Sequence, residues 1–388
     1  MTQQSFADLG VSSAVAGALA RRGIEKPFPV QQLVLADILG GSDVLVKSPT
    51  GSGKTLAFGI PLVDRTKAEA RRPSTLILAP TRELATQIVD ELRAIAHSRA
   101  LRISAVYGGV GLAAQATRGA AAHILVATPG RLEDLLRRGA FTLEAIRFLV
   151  LDEADRMLDM GFRPAIDRIV KACPQERQTM FFSATLDGVA GDVARLYTRS
   201  AVRHESGTPG VSAPTQVEHR FVAVEGNRRV DALMSELGQT RDRTLVFVRT
   251  KRGADRLVKR LGAGGVQALA IHGNKSQRQR EQALSRFQSG RVDTLVATDV
   301  AARGIDVDGV SHVINFDPPE DHQAYIHRIG RTGRAGRRGI GITFVGPEDR
   351  EEMSKLAGRL GLRREFTGGT GLRSEHGARA RRRNTRRR

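Results

Sequence analysis

A glycine-rich loop between a short apolar strand and an apolar helix carries the residues with the most distinctive chemistry. The segment 48-SPTGSGKT-55 precedes the run 56-LAFGIPLV-63. Backbone N–H groups of such a loop, with the positive end of the helix dipole, bind phosphate oxygens. The Lys54 ammonium can reach the β- and γ-phosphates, and the Thr55 hydroxyl can bind Mg²⁺. We predict that these residues hold a nucleoside triphosphate: Ser48, Pro49, Thr50, Gly51, Ser52, Gly53, Lys54 and Thr55. Ser48 replaces the usual first glycine of the motif, and the alternative is a plain glycine turn with an incidental lysine.

A second candidate site follows another apolar run, in 147-RFLVLDEAD-155. The carboxylates leave the carboxyl end of a predicted parallel strand, which is where ligands bind in open α/β sheets. Asp152 is placed to hold Mg²⁺, and Glu153 is placed to orient or deprotonate an attacking water. An acidic turn after a strand is common, so the interpretation depends on the phosphate loop upstream.

The third candidate is an arginine-rich segment, 327-HRIGRTGRAGRRG-339. Arg328, Arg331 and Arg334 are three residues apart, a spacing that lines one face of a turn or of the start of a helix. The spacing alone leaves two roles open, contact with a nucleotide phosphate or contact with the phosphates of a nucleic acid.

Apolar runs at regular intervals predict the elements that position these residues. Alternation of such runs with amphipathic segments such as 82–96 is typical of a parallel sheet covered by helices on both faces. The predicted strands are 43–47, 75–79, 103–107, 123–127, 147–151 and 178–183, then 217–224, 244–248, 266–271, 292–298, 312–316 and 341–345.

Breaks in this rhythm predict the domain boundaries. We expect an N-terminal segment over 1–32, a first domain over 33–205, a linker over 206–215 and a second domain over 216–366. The remainder, 367–388, is rich in arginine and nearly free of apolar residues, so we expect a disordered tail that contacts polyanions. The alternative is a solvated tail without a role.

The charge balance indicates a polyanionic partner, since the formal net charge is +20. A compositional bias toward arginine is the alternative. The chain has no Trp and 4% aromatic residues, so a nucleic acid would be held mainly by its phosphates and sugars. A single cysteine excludes an internal disulfide, and neither a signal peptide nor a membrane span is predicted, which favours the cytoplasm.

With 152-DEAD-155 on the page, the chain resembles the DEAD-box RNA helicases, and short strings such as LDEADRMLDMGF are most similar to the RhlE-type branch. The likeness extends from Phe6 to about Val345 and implies two tandem RecA-like domains. It also implies ATP and Mg²⁺ as cofactors. Phe6 would stack on the adenine and Gln31 would bind its edge, although Phe28 replaces the usual threonine of this motif.

The resemblance further assigns residues that link the two domains. Ser183 and Thr185 of 183-SAT-185 would bind Asp155 and couple the nucleotide site to the RNA site. Arg331 and Arg334 would act as arginine fingers on the γ-phosphate. Asp306 would contact the ribose, and Arg303 would help the domains close.

The RNA contacts implied by the resemblance are small, hydroxyl or guanidinium residues on loops after strands. They suit phosphate and 2′-OH groups and provide no constellation that reads bases. They are Pro80, Thr81, Arg82, Gly108, Gly109, Thr128, Arg131, Thr250, Gln277, Arg280 and Thr298.

We therefore expect an RNA-dependent ATPase that separates short duplexes locally, acting as a monomer. A DNA-directed motor and a non-enzymatic RNA-binding protein are the alternatives. Ribosomal precursors and an RNA-decay complex are the partners that the resemblance suggests.

Overall fold

The computed structural model describes residues 4–48, 52–186, 188–206, 216–225, 228–239, 242–302, 309–333 and 337–368. These residues form two compact units, one up to Ser206 and one from Gln216 onward. Apart from Ser206, the predicted linker lies outside the described residues, and so does the predicted tail beyond Gly368. None of the described helices has the length and apolar composition needed to cross a bilayer.

The described residues of the first unit form a seven-stranded, fully parallel sheet. Its spatial order is β3-β4-β2-β5-β6-β1-β7. The strands are β1 (Val44–Lys47), β2 (Thr75–Leu78), β3 (Ile103–Val106), β4 (Ile124–Ala127), β5 (Phe148–Leu151), β6 (Gln178–Ser183) and β7 (Val202–Glu205).

Alternation of side chains across this sheet produces two hydrophobic layers. Phe148 and Val150 of β5 pack into one cluster with α2, α3 and α4, whereas Leu149 and Leu151 pack into the other with α6, α8 and α9. Buried parallel strands read as continuous apolar runs for this reason. The helices are α1 (Ser13–Ala20), α2 (Pro29–Gly40), α3 (Lys54–Arg65), α4 (Arg82–Ser98), α5 (Leu112–Ala121), α6 (Pro129–Arg137), α7 (Ala154–Asp159), α8 (Arg163–Ala172) and α9 (Val189–Tyr197).

The second unit repeats the architecture with a six-stranded parallel sheet in the order β10-β11-β9-β12-β13-β8. Its strands are β8 (Val217–Ala223), β9 (Thr244–Phe247), β10 (Ala268–Ile271), β11 (Thr294–Ala297), β12 (His312–Asn315) and β13 (Gly339–Val345). Its helices are α10 (Arg229–Gln239), α11 (Lys251–Ala263), α12 (Gln277–Gln288), α13 (Asp299–Ala302), α14 (His322–Ile329), α15 (Arg350–Arg359) and α16 (Arg363–Gly368). Apolar clusters again lie on both faces. The predicted pair of parallel α/β domains is confirmed.

One strand was not predicted from the sequence. The edge strand β7 has the polar sequence VRHE and is largely exposed, so it gives no apolar signal. It forms because its backbone pairs in parallel with β1, with Val44 opposite Val202 and Lys47 opposite Glu205.

Candidate active site

The predicted nucleotide residues of the first unit lie at the carboxyl edge of three adjacent strands. The phosphate loop follows β1, the acidic pair follows β5, and 183-SAT-185 begins at the last residue of β6, which lies between the other two. Because parallel strands end at the same edge of a sheet, the topology gathers segments that are far apart in sequence.

The described part of the phosphate loop is arranged around a buried lysine. The Lys54 ammonium donates to the carbonyl oxygen of Ser48 at 2.9 Å, and the hydroxyls of Ser48 and Ser52 are 2.7 Å apart. Gly53 has φ +90°, a left-handed conformation that favours glycine, and directly precedes α3. Pro49, Thr50 and Gly51 lie outside the described residues. The buried cation and the helix start together form a site for an anion.

Gln31 and Phe6, the two residues predicted to contact the base, have protein partners in this structure. Gln31 is fully buried; its Oε1 accepts from the Phe28 N–H at 2.9 Å, and its Nε2 donates to the Gly53 carbonyl at 3.0 Å. The side chain therefore joins the start of α2 to the phosphate loop. Phe6 is 3% exposed and packs in the hydrophobic core near α1 and α2.

The acidic pair after β5 combines burial with crowding of charge. Asp152 is 2% exposed, and burial raises the pKa of its carboxyl to about 7, with the charge of Glu153 adding to the rise and Lys54 opposing it. The residue after it, Glu153, has φ +49°, an uncommon left-handed conformation for a side-chain-bearing residue. The Glu153 carboxylate accepts a hydrogen bond from Nη1 of Arg156 at 2.5 Å, and both side chains are buried.

Magnesium is compatible with this donor set. No group of three metal-binding side chains occurs among the residues that the structure describes. A single buried carboxylate beside a phosphate loop suits Mg²⁺, which is usually held by one or two carboxylates, substrate phosphates and water. Thr55, the predicted hydroxyl ligand, lies in the first turn of α3 and hydrogen-bonds to the Glu91 carboxyl, whose pKa burial raises. A magnesium ion would have to compete for that hydroxyl.

Asp155 and the segment 183-SAT-185 are joined by several hydrogen bonds. Oδ2 of Asp155 accepts from the N–H groups of Ala184 and Thr185, each at 3.1 Å, and from the Thr185 hydroxyl at 3.4 Å. In return, the Ser183 hydroxyl accepts from the Asp155 N–H at 3.3 Å. The end of β6 is thus tied to the start of α7.

The predicted RNA residues of the first unit follow the other three adjacent strands, β3, β4 and β2. Gly108 and Gly109 follow β3, and Pro80 to Arg82 follow β2. A Cβ on Gly109, which has φ +85°, would lie 2.0 Å from Nη1 of Arg82, so the arginine lies directly against that glycine. Thr81 caps α4 by accepting from the Leu84 N–H at 3.3 Å.

The loop after β4 is connected to the loop after β3. Nη1 of Arg131 donates to the Val110 carbonyl at 3.2 Å and to Oε1 of Gln115 at 3.1 Å. Gln115 in turn exchanges two 3.0 Å hydrogen bonds with the backbone of Tyr107. Thr128 directly precedes α6 and is buried. The three loops therefore form one connected surface of backbone groups and guanidinium groups.

The second unit places its predicted RNA residues in the same way, after the adjacent strands β10, β11 and β9. Thr250 follows β9 and caps α11, accepting from the Gly253 N–H at 3.0 Å. Thr298 follows β11 and is buried. Gln277 and Arg280 lie in the first turn of α12, which follows β10.

The arginines of the second unit differ in their surroundings. Arg328 forms a bidentate pair with Asp299, with both distances 2.6 Å, and its Nη1 donates to the Asp317 carbonyl at 2.7 Å. Arg331 is 6% exposed, and its Nε donates to the His327 carbonyl at 3.2 Å. Arg303, Asp306 and Arg334 lie outside the described residues.

Two contacts of this site were not predicted from the sequence. The pairing of Arg156 with Glu153 spans three residues of a helix, a spacing at which oppositely charged side chains meet, so the signal was present in DEADR. The contact of Glu91 with Thr55 joins α4 to α3, and no local pattern marks it.

Comparison with known proteins identifies two family models. The DEAD/DEAH box helicase model matches residues 28–193, and the helicase conserved C-terminal domain model matches residues 228–336. The DEAD-box ATP-dependent RNA helicase CshA of Geobacillus kaustophilus is 40% identical over 347 residues, covering 89% of this chain and 74% of the relative. CshA of Bacillus licheniformis is 39% identical over 355 residues, covering 91% and 72%.

Solved structures are similar over nearly the same span. S. cerevisiae Dbp5 bound to RNA and ADP BeF3 is 29% identical, with a TM-score of 0.82, covering 92% of this chain and 94% of that one. Mss116p bound to ssRNA and AMP-PNP is 26% identical, with a TM-score of 0.84, covering 93% and 78%. These are two-domain proteins of the RecA-like architecture expected from the sequence.

Proposed function

Because the chain belongs to the DEAD-box ATP-dependent RNA helicase family, we propose roles for its own residues in ATP hydrolysis and RNA remodelling. The chain is an ATP-dependent RNA helicase. The observation that carries the residue assignments is the division of the first sheet's carboxyl edge. The phosphate loop and acidic residues follow β1, β5 and β6, and the RNA residues follow β2, β3 and β4.

In this proposal the triphosphate lies on the loop 48–55, with Lys54 and the first N–H groups of α3 neutralising its charge. Asp152 and Thr55 would hold Mg²⁺ together with phosphate oxygens. The ion would supply charge neutralisation on the β- and γ-phosphates. Asp152 must be ionised to serve, although its pKa lies near 7 in the protein alone.

Glu153 orients the attacking water and accepts its proton. Its carboxylate is held by Arg156, which fixes its direction. Arg331 and Arg334 stabilise the charge on the transferring phosphoryl group, so hydrolysis depends on residues of both units. Asp306 contacts the ribose, Arg303 supports closure, and Gln31 and Phe6 serve the base, the latter two after a local rearrangement of the side chains described above.

RNA binds through its backbone at the two sets of strand-end loops, with low sequence specificity and strong salt dependence. Asp155, Ser183 and Thr185 couple the two halves of the first sheet's edge. Since binding of ATP and of RNA are coupled through one arrangement, each raises the affinity for the other. The product is separation of a few base pairs rather than long travel.

The decisive experiment measures ATP hydrolysis with no polymer, with RNA and with DNA of the same sequence. We expect clear stimulation by RNA only. Equal rates with and without RNA would contradict the coupling, and equal stimulation by DNA would favour the DNA-directed alternative. The same assays test the RhlE-type branch no further than the family.

We propose a cytoplasmic monomer that acts on structured RNA, with ribosomal precursors or an RNA-decay complex as its setting. Sequencing of RNA crosslinked to the protein in cells would identify the substrates. Recovery of mainly mRNA fragments would contradict the assignment to ribosomal precursors.

A further inference from the structure

The start of α2 carries an aromatic ring in an unusual position. Phe28 directly precedes α2 and is 51% exposed, and no other phenylalanine of the described residues is among the exposed large apolar side chains. It stands where the resemblance leads us to expect threonine. An exposed phenyl ring beside a ligand site gains free energy when an apolar surface covers it.

Phe28 lies against the phosphate loop. A Cβ on Gly53, the residue before α3, would be 2.7 Å from Cδ2 of Phe28 and 2.8 Å from Nε2 of Gln31. The ring is therefore in contact with the end of the loop that holds the phosphates, on the same side as the residue expected at the base.

The backbone beneath the ring is held in place. Gln31 is fully buried and joins the Phe28 N–H to the Gly53 carbonyl through its two amide atoms. Phe28 cannot move away from the loop without breaking one of these hydrogen bonds. The ring is preorganised, which reduces the entropy lost when a ligand covers it.

We propose that the Phe28 ring stacks on the base of the bound nucleotide. This inference rests on the proposed nucleotide site and adds a residue that determines affinity there. Every base presents a π-face, so the contribution is similar for adenine and guanine. An aromatic pair of this kind changes affinity by about three- to tenfold.

The test uses the full chain and the variants Phe28→Ala, Phe28→Leu and Phe28→Tyr. Dissociation constants are measured at equilibrium for ATP, GTP and inorganic tripolyphosphate, which carries the phosphates without a base. We expect Phe28→Ala to weaken ATP and GTP by about three- to tenfold and to leave tripolyphosphate unchanged. Phe28→Tyr should retain the wild-type affinity, and Phe28→Leu should recover less than half of the loss.

Leu33→Ala is the matched control, because Leu33 is a second exposed apolar residue of α2, 44% exposed. It should leave all three constants unchanged. Unchanged ATP affinity in Phe28→Ala would overturn the inference. Equal weakening of tripolyphosphate would also overturn it, because the ring would then support the loop rather than the base. Full recovery in Phe28→Leu would show apolar packing instead of stacking.

Equilibrium binding separates this inference from the proposed function. If wild-type protein bound ATP and the Phe28 variants behaved as expected, absent stimulation by RNA would remove the coupling and leave the stacking intact.

Discussion

At Glu153, a left-handed backbone, a buried carboxylate and the Arg156 guanidinium come together. Glu153→Gln keeps the shape but cannot accept a proton. We expect ATP and RNA affinities within about threefold of wild type and hydrolysis slowed by about 10²- to 10⁴-fold. Single-turnover hydrolysis with saturating RNA measures the effect. Glu133→Gln, whose carboxylate pairs with Arg168 on the surface, is the control. Turnover near the wild-type rate in Glu153→Gln would remove the proposed role.

Asp152 makes stability depend on pH. Its carboxyl has a reference pKa of 3.8 and a folded pKa of about 7, so the folded chain binds the proton more tightly than the unfolded chain. The folded state is therefore not penalised below about pH 4, and the penalty grows as the pH rises toward and through 7. In metal-free and nucleotide-free buffer, we expect Asp152→Asn to be more resistant to urea than wild type at pH 8. The difference should vanish near pH 4.

The opposite order, with Asp152→Asn gaining resistance at acidic pH only, would contradict this sign. Urea midpoints for wild type and variant at four pH values between 4 and 8 provide the measurement. Asp134→Asn is the control, because Asp134 is exposed and paired with Arg138 on the surface.

Residue types and local spacing were sufficient to predict which side chains gather at the strand ends, because the loop motif and the acidic motif each follow an apolar run. Partners supplied by distant elements were not predictable. The Gln31 amide is occupied by Phe28 and Gly53, a contact that depends on how α2 meets the phosphate loop. Phe6 shows the same limit, since the packing of α1 and α2 decides its burial.

At the scale of elements, Asp155 ties α7 to the loop after β6 through its bonds to Ala184 and Thr185. Asp155→Ala removes these acceptors and uncouples the two halves of the sheet edge. We expect ATP binding to be retained and the number of short duplexes separated per ATP hydrolysed to fall about tenfold. Parallel assays of strand separation and phosphate release give that ratio. Asp90→Ala, at an exposed pair on α4, should not change it; an equal fall of both activities would contradict coupling.

Strands were predictable wherever they are buried. The six apolar runs of the first unit all became strands, within one residue at each end. The edge strand β7 was missed because β1, rather than the apolar content of VRHE, holds it in place. The predicted strand 266–271 is shorter in the structure, beginning at Ala268, since the chain first has to turn out of α11 through Gly264 and Gly265.

At the scale of the whole molecule, hydrolysis should require the second unit. Arg331→Ala in the full chain is expected to slow RNA-stimulated hydrolysis about 10³-fold, because an arginine finger stabilises transition-state charge. Arg331 is buried, so urea unfolding of the variant must accompany the kinetics. Arg338→Ala, an exposed arginine of the same segment, is the control. A full rate in Arg331→Ala would mean that the first unit hydrolyses ATP without help.

The tail 367–388 lies outside the described residues, so its role is a prediction from composition. Deleting it should weaken RNA binding and reduce the slope of log affinity against log salt, since each lost phosphate contact releases about 0.7 to 0.9 fewer counterions. Fluorescence anisotropy at four salt concentrations measures the slope. An unchanged slope would make the tail a bystander.

The strand that begins the phosphate loop waits a long time for its neighbour during synthesis. Val44 pairs with Val202, so roughly 160 further residues must leave the ribosome before β1 is enclosed on its outer side. At ordinary translation speeds that interval is about 8 to 30 s. Throughout it the apolar backbone of β1 presents an open edge, so the nascent chain is a natural client for chaperones until the first 205 residues are complete.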